Sequence, residues 1–370
     1  MAKIMIVAGL GSSLIRFRGD LIKSWLGLGY DVVAAAPGRE VEQQLKELGV
    51  PYYSIPLKRT SLNPLADLAL TCSLIRIIKK EKPAYLFLYT VKPVIYGSLA
   101  ALLNRKVKVY SMITGLGYVF SGKPGKRTFL ETLVTWLYGF ALKRNKLVFF
   151  QNPDDCNAFI NLKIVTADKA LQINGSGVNV DYFKPVNLPI GPPAFLLIAR
   201  LLREKGIAEF MEAARVIKTK YPETRFSMVG WSFDENPSAI SATQVEQWLD
   251  EGFVEIYGET DDVRPYIAAA SVYVLPSYRE GTPRTVLEAM AMGRPIITTD
   301  VPGCRETVVD GLNGFLVPVR DSEALVKAME RFIKEPELIT QMGAESHRIA
   351  EEKYDVHKVN NVINEAMVLG

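Results

Sequence analysis

The chain has 370 residues, 48% hydrophobic and 23% charged, with a net charge of +4. That length suits two domains better than one core, and the apolar content excludes a disordered chain. The weak positive charge makes no case for nucleic acid as a partner. His347 and His357 are the only histidines and both lie near the C-terminus, which leaves little for a histidine-ligated metal or a histidine triad. Cys72, Cys156 and Cys304 form no C-x-x-C and read as reduced core residues of a cytosolic protein. The first apolar run, Ile4–Ala8, is rich in β-branched residues and stops at Gly9-Leu-Gly11. It predicts a buried first strand, not a leader peptide. No apolar run reaches the roughly 18 residues that span a bilayer, so the expected location is intracellular, soluble or attached to a membrane face.

Further strands are expected at Asp31–Ala36, Tyr85–Leu88, Val107–Ile113 and Leu147–Gln151, with helices such as Asp20–Leu28 and Leu65–Lys80 between them. Strands without apolar/polar alternation, separated by helices, imply a parallel sheet covered on both faces. The pattern pauses over Val180–Pro193, which holds Pro185, Pro189, Pro192 and Pro193 and reads as a linker. It resumes at Phe195–Ala199, Arg225–Val229, Val254–Tyr257, Val272–Leu275 and Pro295–Thr299. The expected fold is therefore α/β, two doubly wound Rossmann-like domains with a cleft at their strand C-terminal ends. The expected division is 1–183, 184–350, and a C-terminal helix in 351–370 that packs back on the first domain.

The segment 272–318 carries the clearest chemistry. After the strand Val272–Leu275 comes the loop Pro276-Ser-Tyr-Arg-Glu-Gly-Thr282, and Pro283 stands where a helix should begin. Proline is favoured at the first helical position and Thr282 can cap the N–H groups behind it. The helix is expected to run to Met292, with Gly293 as its stop. Its N-terminus would lie at the C-terminal edge of the sheet, an anion site suited to a diphosphate. Glu280 precedes the helix and Glu288 lies in its second turn.

The run from Glu280-Gly-Thr-Pro-Arg-Thr-Val-Leu-Glu288 to Gly293-Arg-Pro-Ile296 resembles the E-x7-E signature of family 4 retaining glycosyltransferases, which have the GT-B fold. Glu306-Thr-Val-Val-Asp-Gly-Leu-Asn-Gly314-Phe-Leu-Val-Pro318 and Arg200-Leu-Leu-Arg-Glu-Lys205-Gly206 resemble two further pieces of that family, in the same order. The resemblance covers essentially the whole chain. It implies that Arg200 and Lys205 neutralise the leaving diphosphate, that Glu288 binds ribose hydroxyls, and that Glu280 contacts the transferred sugar. Gly281, Thr282 and Pro283, with backbone N–H groups up to Thr285, would complete the donor cradle. Arg200, Lys205 and Glu280 are thus the candidate catalytic residues.

In the first domain, Gly9-Leu-Gly11 lacks the full dinucleotide fingerprint. Gly11 either allows close approach of donor phosphates, as the resemblance implies, or serves only a tight turn. Arg16, Arg18, Lys58, Arg59, Lys92 and Thr114 fall on loops or helix starts expected to ring the cleft, and are the candidate acceptor-binding residues. Phe17-Arg18, Ser61-Leu-Asn-Pro64, Gly115-Leu-Gly117 and Asp234-Glu-Asn-Pro237 resemble a narrower group, bacterial N-acetylgalactosaminyltransferases acting on undecaprenyl-diphosphate-linked sugars. Many family 4 enzymes carry a histidine in the first domain near the reacting sugar. This chain has none there, which points to the leaving phosphate as proton acceptor.

Residues 121–150 hold Lys123, Lys126, Arg127, Lys143, Arg144 and Lys146 against a single acid, Glu131. Thr128-Phe-Leu-Glu131 fits a capping box, opening a helix over 128–142 that is apolar nearly all round. It is either a surface that dips into anionic lipid headgroups or a core-packed helix with solvated ends.

The expected activity is transfer of a sugar, an N-acetylhexosamine such as N-acetylgalactosamine, from a uridine-diphosphate donor to a polyprenyl-diphosphate-linked saccharide. The resemblance implies neither metal nor other cofactor, the UDP-sugar being a co-substrate. The expected partners are that donor, the lipid-linked acceptor and an anionic membrane surface, at the inner face of the cell membrane. The alternatives are a nucleotide-sugar 2-epimerase of the same architecture, a non-catalytic sugar-nucleotide-binding subunit, and a Rossmann oxidoreductase.

Overall fold

The computed structural model describes residues 1–58, 63–115, 129–230, 236 and 238–369. The expectations for Arg59, Ser61-Leu62, Leu116-Gly117, Lys123, Lys126, Arg127, the Thr128 cap, Asp234-Glu235 and Pro237 lie outside the described residues. The chain forms two compact units, one of residues 1–176 with 357–370, the other of 177–356.

Among the described residues, unit 1 holds seven strands: β1 (Lys3–Val7), β2 (Asp31–Ala36), β3 (Tyr52–Ser54), β4 (Tyr85–Tyr89), β5 (Lys108–Ile113), β6 (Leu147–Phe150) and β7 (Ala170–Gln172). Their order is β3-β2-β1-β4-β5-β6-β7, and the pairs are parallel, as in Ile4↔Val32 and Ile4↔Tyr85. Alternate β1 side chains enter two cores. Met5 and Val7 pack with the helix Pro64–Glu81, while Ile4 and Ile6 pack with Trp25, Leu21 and Ile22 of the helix Gly19–Gly27. Both faces of the sheet are dry, which is why its strands read as unbroken apolar runs. Val359, Ile363 and Met367 of the last helix, Val356–Met367, join the second core. Asn364 fixes that helix by accepting from Trp25 Nε1 at 3.0 Å and donating to Ser24 at 2.9 Å.

Among the described residues, unit 2 holds six parallel strands: β8 (Ala194–Ile198), β9 (Arg225–Val229), β10 (Glu255–Tyr257), β11 (Val272–Leu275), β12 (Ile296–Thr299) and β13 (Gly314–Val317). Their order is β10-β9-β8-β11-β12-β13. Phe195 and Leu197 face one core and Leu196 and Ile198 the other. In both sheets the chain leaves the first strand on one side and later returns on the other. The reversal falls between β1 and β4 and between β8 and β11, the switch points where α/β sheets bind ligands.

The proline-rich segment 180–193 does not separate the units; it belongs to unit 2. Arg294, 1% exposed, anchors it. Its guanidinium donates to the carbonyls of Val186, Asn187, Ile267, Ala268 and Met292 at 3.0–3.3 Å. Burial pulls its pKa down to about 10. Ile267 and Ala268 end the helix Arg264–Ala268, so Arg294 also satisfies its last carbonyls.

Candidate active site

At the β8/β11 switch point two loops interlock. The loop after β8 ends in a short turn, Arg203–Lys205, closed by Gly206 at φ 70°. A Cβ on Gly206 would fall 2.1 Å from the carbonyl oxygen of Pro276, the first residue after β11. Glycine is thus required both for the left-handed backbone and for the close approach. Tyr278 N–H donates to Glu204 O at 2.8 Å, and Tyr278 Oη reaches Glu209 Oε1 at 2.7 Å. These contacts bring Lys205 Nζ onto Glu280 Oε1. The two side chains are only 16% and 13% exposed, so the pair is far less screened than a surface ion pair. Ser277 Oγ donates to the same carboxylate oxygen at 2.8 Å.

A third loop, after β12, supports Glu280 from below. Glu280 N–H donates to Pro302 O at 3.0 Å. Gly303, at φ 85°, lies so close that a Cβ would be 2.3 Å from Glu280 O. Its N–H donates to Glu306 Oε2 at 2.7 Å, which gives Glu306 a loop-fixing part. Cys304 is fully buried beside this carboxylate, and burial with the Glu280 charge pushes its thiol up to about 12.

The helix after this loop spans Arg284–Ala291. Pro283 is its cap, not its first residue, and no side chain caps it. The correction has a simple cause: Pro283 has ψ 110°, outside the helical range, and its carbonyl already accepts the first helical bond, from Val286 N–H at 3.1 Å. The helix ends at Ala291 and Gly293 follows at φ 78°. Val286, Leu287 and Met290 are fully buried, worth about 1.5–3 kcal/mol each. They hold the helix against β11 and β12, with its N-terminus beside Glu280. Glu288 is 8% exposed and accepts from Arg284 Nε at 2.9 Å, one turn earlier. Thr285 Oγ1 and Tyr273 Oη both reach Ile198 O, at 3.3 and 3.0 Å, tying this helix and β11 to the end of β8. Arg200 stands on the loop just beyond, half-buried and in no ion pair among the described residues. The structure therefore brings Lys205, Glu280, Gly281, Thr282 and Pro283 to one sheet edge, with Arg200 on the neighbouring loop and Glu288 one helical turn further in.

In unit 1 the residues separate into different environments. Gly11 is buried, and a Cβ there would fall 2.4 Å from Glu40 Oε1 and 3.1 Å from Pro37 O. The exposed Glu40 side chain can swing away, so it is the Pro37 carbonyl that crowds a larger residue at this position. The helix after it, Ser12–Arg16, has five residues, too few for a strong dipole. Arg16 and Lys58 are exposed. Arg18 is not on a rim: it is 1% exposed, with Nη2 2.7 Å from Met112 Sδ and its guanidinium 5.2 Å from the Tyr89 ring centre. It turns inward because it sits at the junction between two short helices that pack on β4 and β5. Lys92 is 12% exposed and held by Asp67 at 2.6 Å, whose other oxygen accepts from Tyr96 Oη at 2.7 Å. Thr114 is half-buried just after β5.

One residue here had no sequence signal. Thr90, at the end of β4, has φ 69°, a left-handed backbone that strains a β-branched residue. Its hydroxyl is buried without a hydrogen-bond partner. Gly9, whose added Cβ would be 2.3 Å from Thr90 Oγ1, leaves the room for it. Strain and an orphaned donor coincide at the β1/β4 switch point.

Both halves of the chain resemble known proteins. Residues 16–152 match the family model described as glycosyl transferase 4-like, and residues 192–335 match glycosyl transferases group 1. The chain is 28% identical, over 91% of its length and 90% of the relative's, to N,N'-diacetylbacillosaminyl-diphospho-undecaprenol alpha-1,3-N-acetylgalactosaminyltransferase of Campylobacter jejuni. It is 26% identical, over 75% and 74%, to UDP-Gal:alpha-D-GlcNAc-diphosphoundecaprenol alpha-1,3-galactosyltransferase of Escherichia coli. HepE of Anabaena, solved in complex with UDP, superposes over 100% of both chains with a TM-score of 0.79 at 18% identity. That superposition shows the fold, GT-B. The two switch-point sheets, the interlocked loops and the matches to both halves lead to one assignment: the chain belongs to the family 4 glycosyltransferases.

Proposed function

We propose that this chain is a retaining, metal-independent glycosyltransferase that moves an N-acetylhexosamine, such as N-acetylgalactosamine, from UDP to a polyprenyl-diphosphate-linked saccharide in surface-glycan or glycoprotein-glycan assembly. The observation that carries the reading is the shielded Lys205–Glu280 pair at the β8/β11 switch point. In this reading Lys205 is the cation for the leaving diphosphate and Glu280, beside it, the carboxylate for the sugar hydroxyls. Arg200 adds a second cation, and the N-terminus of the helix Arg284–Ala291 adds oriented N–H groups. Such fixed donors stabilise the charge that grows on the departing phosphate. Glu288 would hold the ribose. The bond from the sugar C1 to the phosphate oxygen breaks as the acceptor oxygen bonds C1 on the same face. The acceptor proton passes to that phosphate oxygen, and no protein base is needed. Arg16, Lys58 and Thr114, with Arg59, are the proposed acceptor-side contacts. Arg18 and Lys92 would act from behind them, through Tyr89 and Asp67.

The undecaprenol-linked acceptors of the two relatives support a lipid-linked substrate, and basic residues in 121–150 would place the enzyme peripherally at the inner membrane face. No helix among the described residues is long and apolar enough to cross a membrane. The test is a panel of uridine and guanosine diphosphate sugars with a short polyprenyl-diphosphate saccharide, products being read by mass spectrometry and anomeric NMR coupling. Transfer from a UDP-N-acetylhexosamine with retained configuration is expected. C2 inversion of the free donor would indicate the epimerase, and donor binding without turnover a binding subunit.

A further inference from the structure

The N-terminal edge of the unit 1 sheet, opposite the switch point, carries a cavity of about 300 Å³ lined by Arg105, Lys106, Lys108, Arg144, Lys146 and Lys169. Three adjacent strands build it. Lys108 opens β5, Lys146 immediately precedes β6 and Lys169 immediately precedes β7. Arg144 is fixed by donating to Ala101 O and, at 2.9 Å, to Asn104 O, and Lys169 Nζ donates to Lys143 O at 2.8 Å. None of the six is in an ion pair with a carboxylate among the described residues. Six like charges around one cavity repel each other, which costs fold stability.

Apolar surface adjoins this cavity. In the helix Phe129–Ala141, Tyr138 and Ala141 are buried, and Val134 and Leu137 pack on the core beside them. Trp136 and Phe140, one turn apart and stacked at 6.1 Å, are 65% and 47% exposed. Arg144, which lines the cavity, follows Phe140 by four residues, in the short turn Leu142–Arg144 that continues this helix. Leu102 and Leu103, 40% and 66% exposed, lie between the two carbonyls that hold Arg144. The helix is thus neither wholly core-packed nor wholly free. One face is core, and the other is an exposed aromatic face ending at a basic pocket.

We infer that this edge is a docking surface for an anionic membrane. Lipid phosphate headgroups would occupy the Arg105–Lys169 cavity, with Trp136, Phe140, Leu102 and Leu103 inserted at the headgroup–acyl boundary. The charge complementarity favours this occupant: a phosphate-bearing membrane surface supplies the missing counter-charge and covers the exposed apolar residues at the same time. The inference rests on the lipid-linked acceptor reading for its purpose, but its test needs neither donor nor acceptor.

The full chain is floated with phosphatidylglycerol/phosphatidylcholine vesicles and with phosphatidylcholine alone. Binding is expected only to the anionic vesicles, weakening with salt, with a blue shift of tryptophan fluorescence that Trp136→Phe abolishes. Arg105→Glu/Lys106→Glu/Lys146→Glu should lower partitioning by roughly tenfold or more, and Trp136→Ser/Phe140→Ser should lower it without changing the salt slope. Circular dichroism checks that each variant folds. Equal partitioning of wild type and charge variant overturns the inference. So does thermal stabilisation by inorganic pyrophosphate without vesicle binding, which would make the cavity a soluble-phosphate site. A chain that transfers sugar to a water-soluble acceptor but ignores vesicles overturns the docking surface alone. One that binds vesicles but transfers nothing overturns only the proposed function.

Discussion

Replacing Lys205 by alanine removes the one cation among the described residues that touches Glu280, leaving a carboxylate that is 13% exposed and held by Ser277 at 2.8 Å. The donor diphosphate then loses an attraction and gains a repulsion. A unit charge about 4 Å from another at an effective dielectric of 20 is worth about 4 kcal/mol, and solvent that enters the truncated site returns part of it. The expected loss in UDP binding is about 2–3 kcal/mol, roughly 30- to 150-fold in Kd. The transfer rate should fall by about 10²–10³, because the charge on the leaving phosphate grows in the transition state. The double variant Lys205→Ala/Glu280→Gln separates the two contributions. If Glu280 repels the diphosphate once its partner is gone, the double variant should bind UDP more tightly than Lys205→Ala, with a coupling above about 1 kcal/mol. Calorimetric titration of UDP into the four proteins measures this. Wild-type affinity in Lys205→Ala, or strict additivity in the cycle, would refute the reasoning.

Three further outcomes follow from named contacts. Arg294→Met leaves five carbonyls short of a donor and should cost at least about 3 kcal/mol in denaturant unfolding; a loss below about 1 kcal/mol would show that segment 180–193 is held otherwise. Thr90→Gly should relieve the left-handed strain and raise unfolding stability by up to about 1 kcal/mol while lowering transfer; a fall in stability would mean that the side chain's packing outweighs the strain. Cys304, with its thiol pushed up to about 12 by burial, should resist iodoacetamide at pH 8 in the native state, while exposed Cys72 reacts quickly. Mass mapping of the alkylated sites decides this, and labelling of Cys304 at the rate of Cys72 would contradict its burial.

Much of this was legible in the residues because burial on both sheet faces leaves unbroken apolar runs. The strands around both switch points appear within a residue or two of their expected ends. The short edge strands β3 and β7, three residues each, lack a run long enough to stand out, and half-exposed Tyr52 and Tyr53 give no periodic signal. Local spacing likewise placed Glu288 in the second helical turn, where its partner proves to be Arg284, four residues earlier. Lys205 and Glu280 lie 75 residues apart, and only the adjacency of β8 and β11 joins them. Gly303 and Ser277 support Glu280 through the same non-local geometry. Arg18 and Lys92 misled because charge suggested a rim, whereas Met112 and Asp67 receive them inside.

The central claim is that the cationic and acidic groups at the β8/β11 switch point hold a nucleotide sugar for transfer to a lipid-linked acceptor. Its most direct test is the donor panel with a polyprenyl-diphosphate saccharide, run in parallel on wild type and Glu280→Gln. The account predicts a retained-configuration product from a UDP-N-acetylhexosamine, made at least about 10² times more slowly by the variant. Equal turnover by both proteins, or no transfer from any donor despite tight UDP binding, would contradict it.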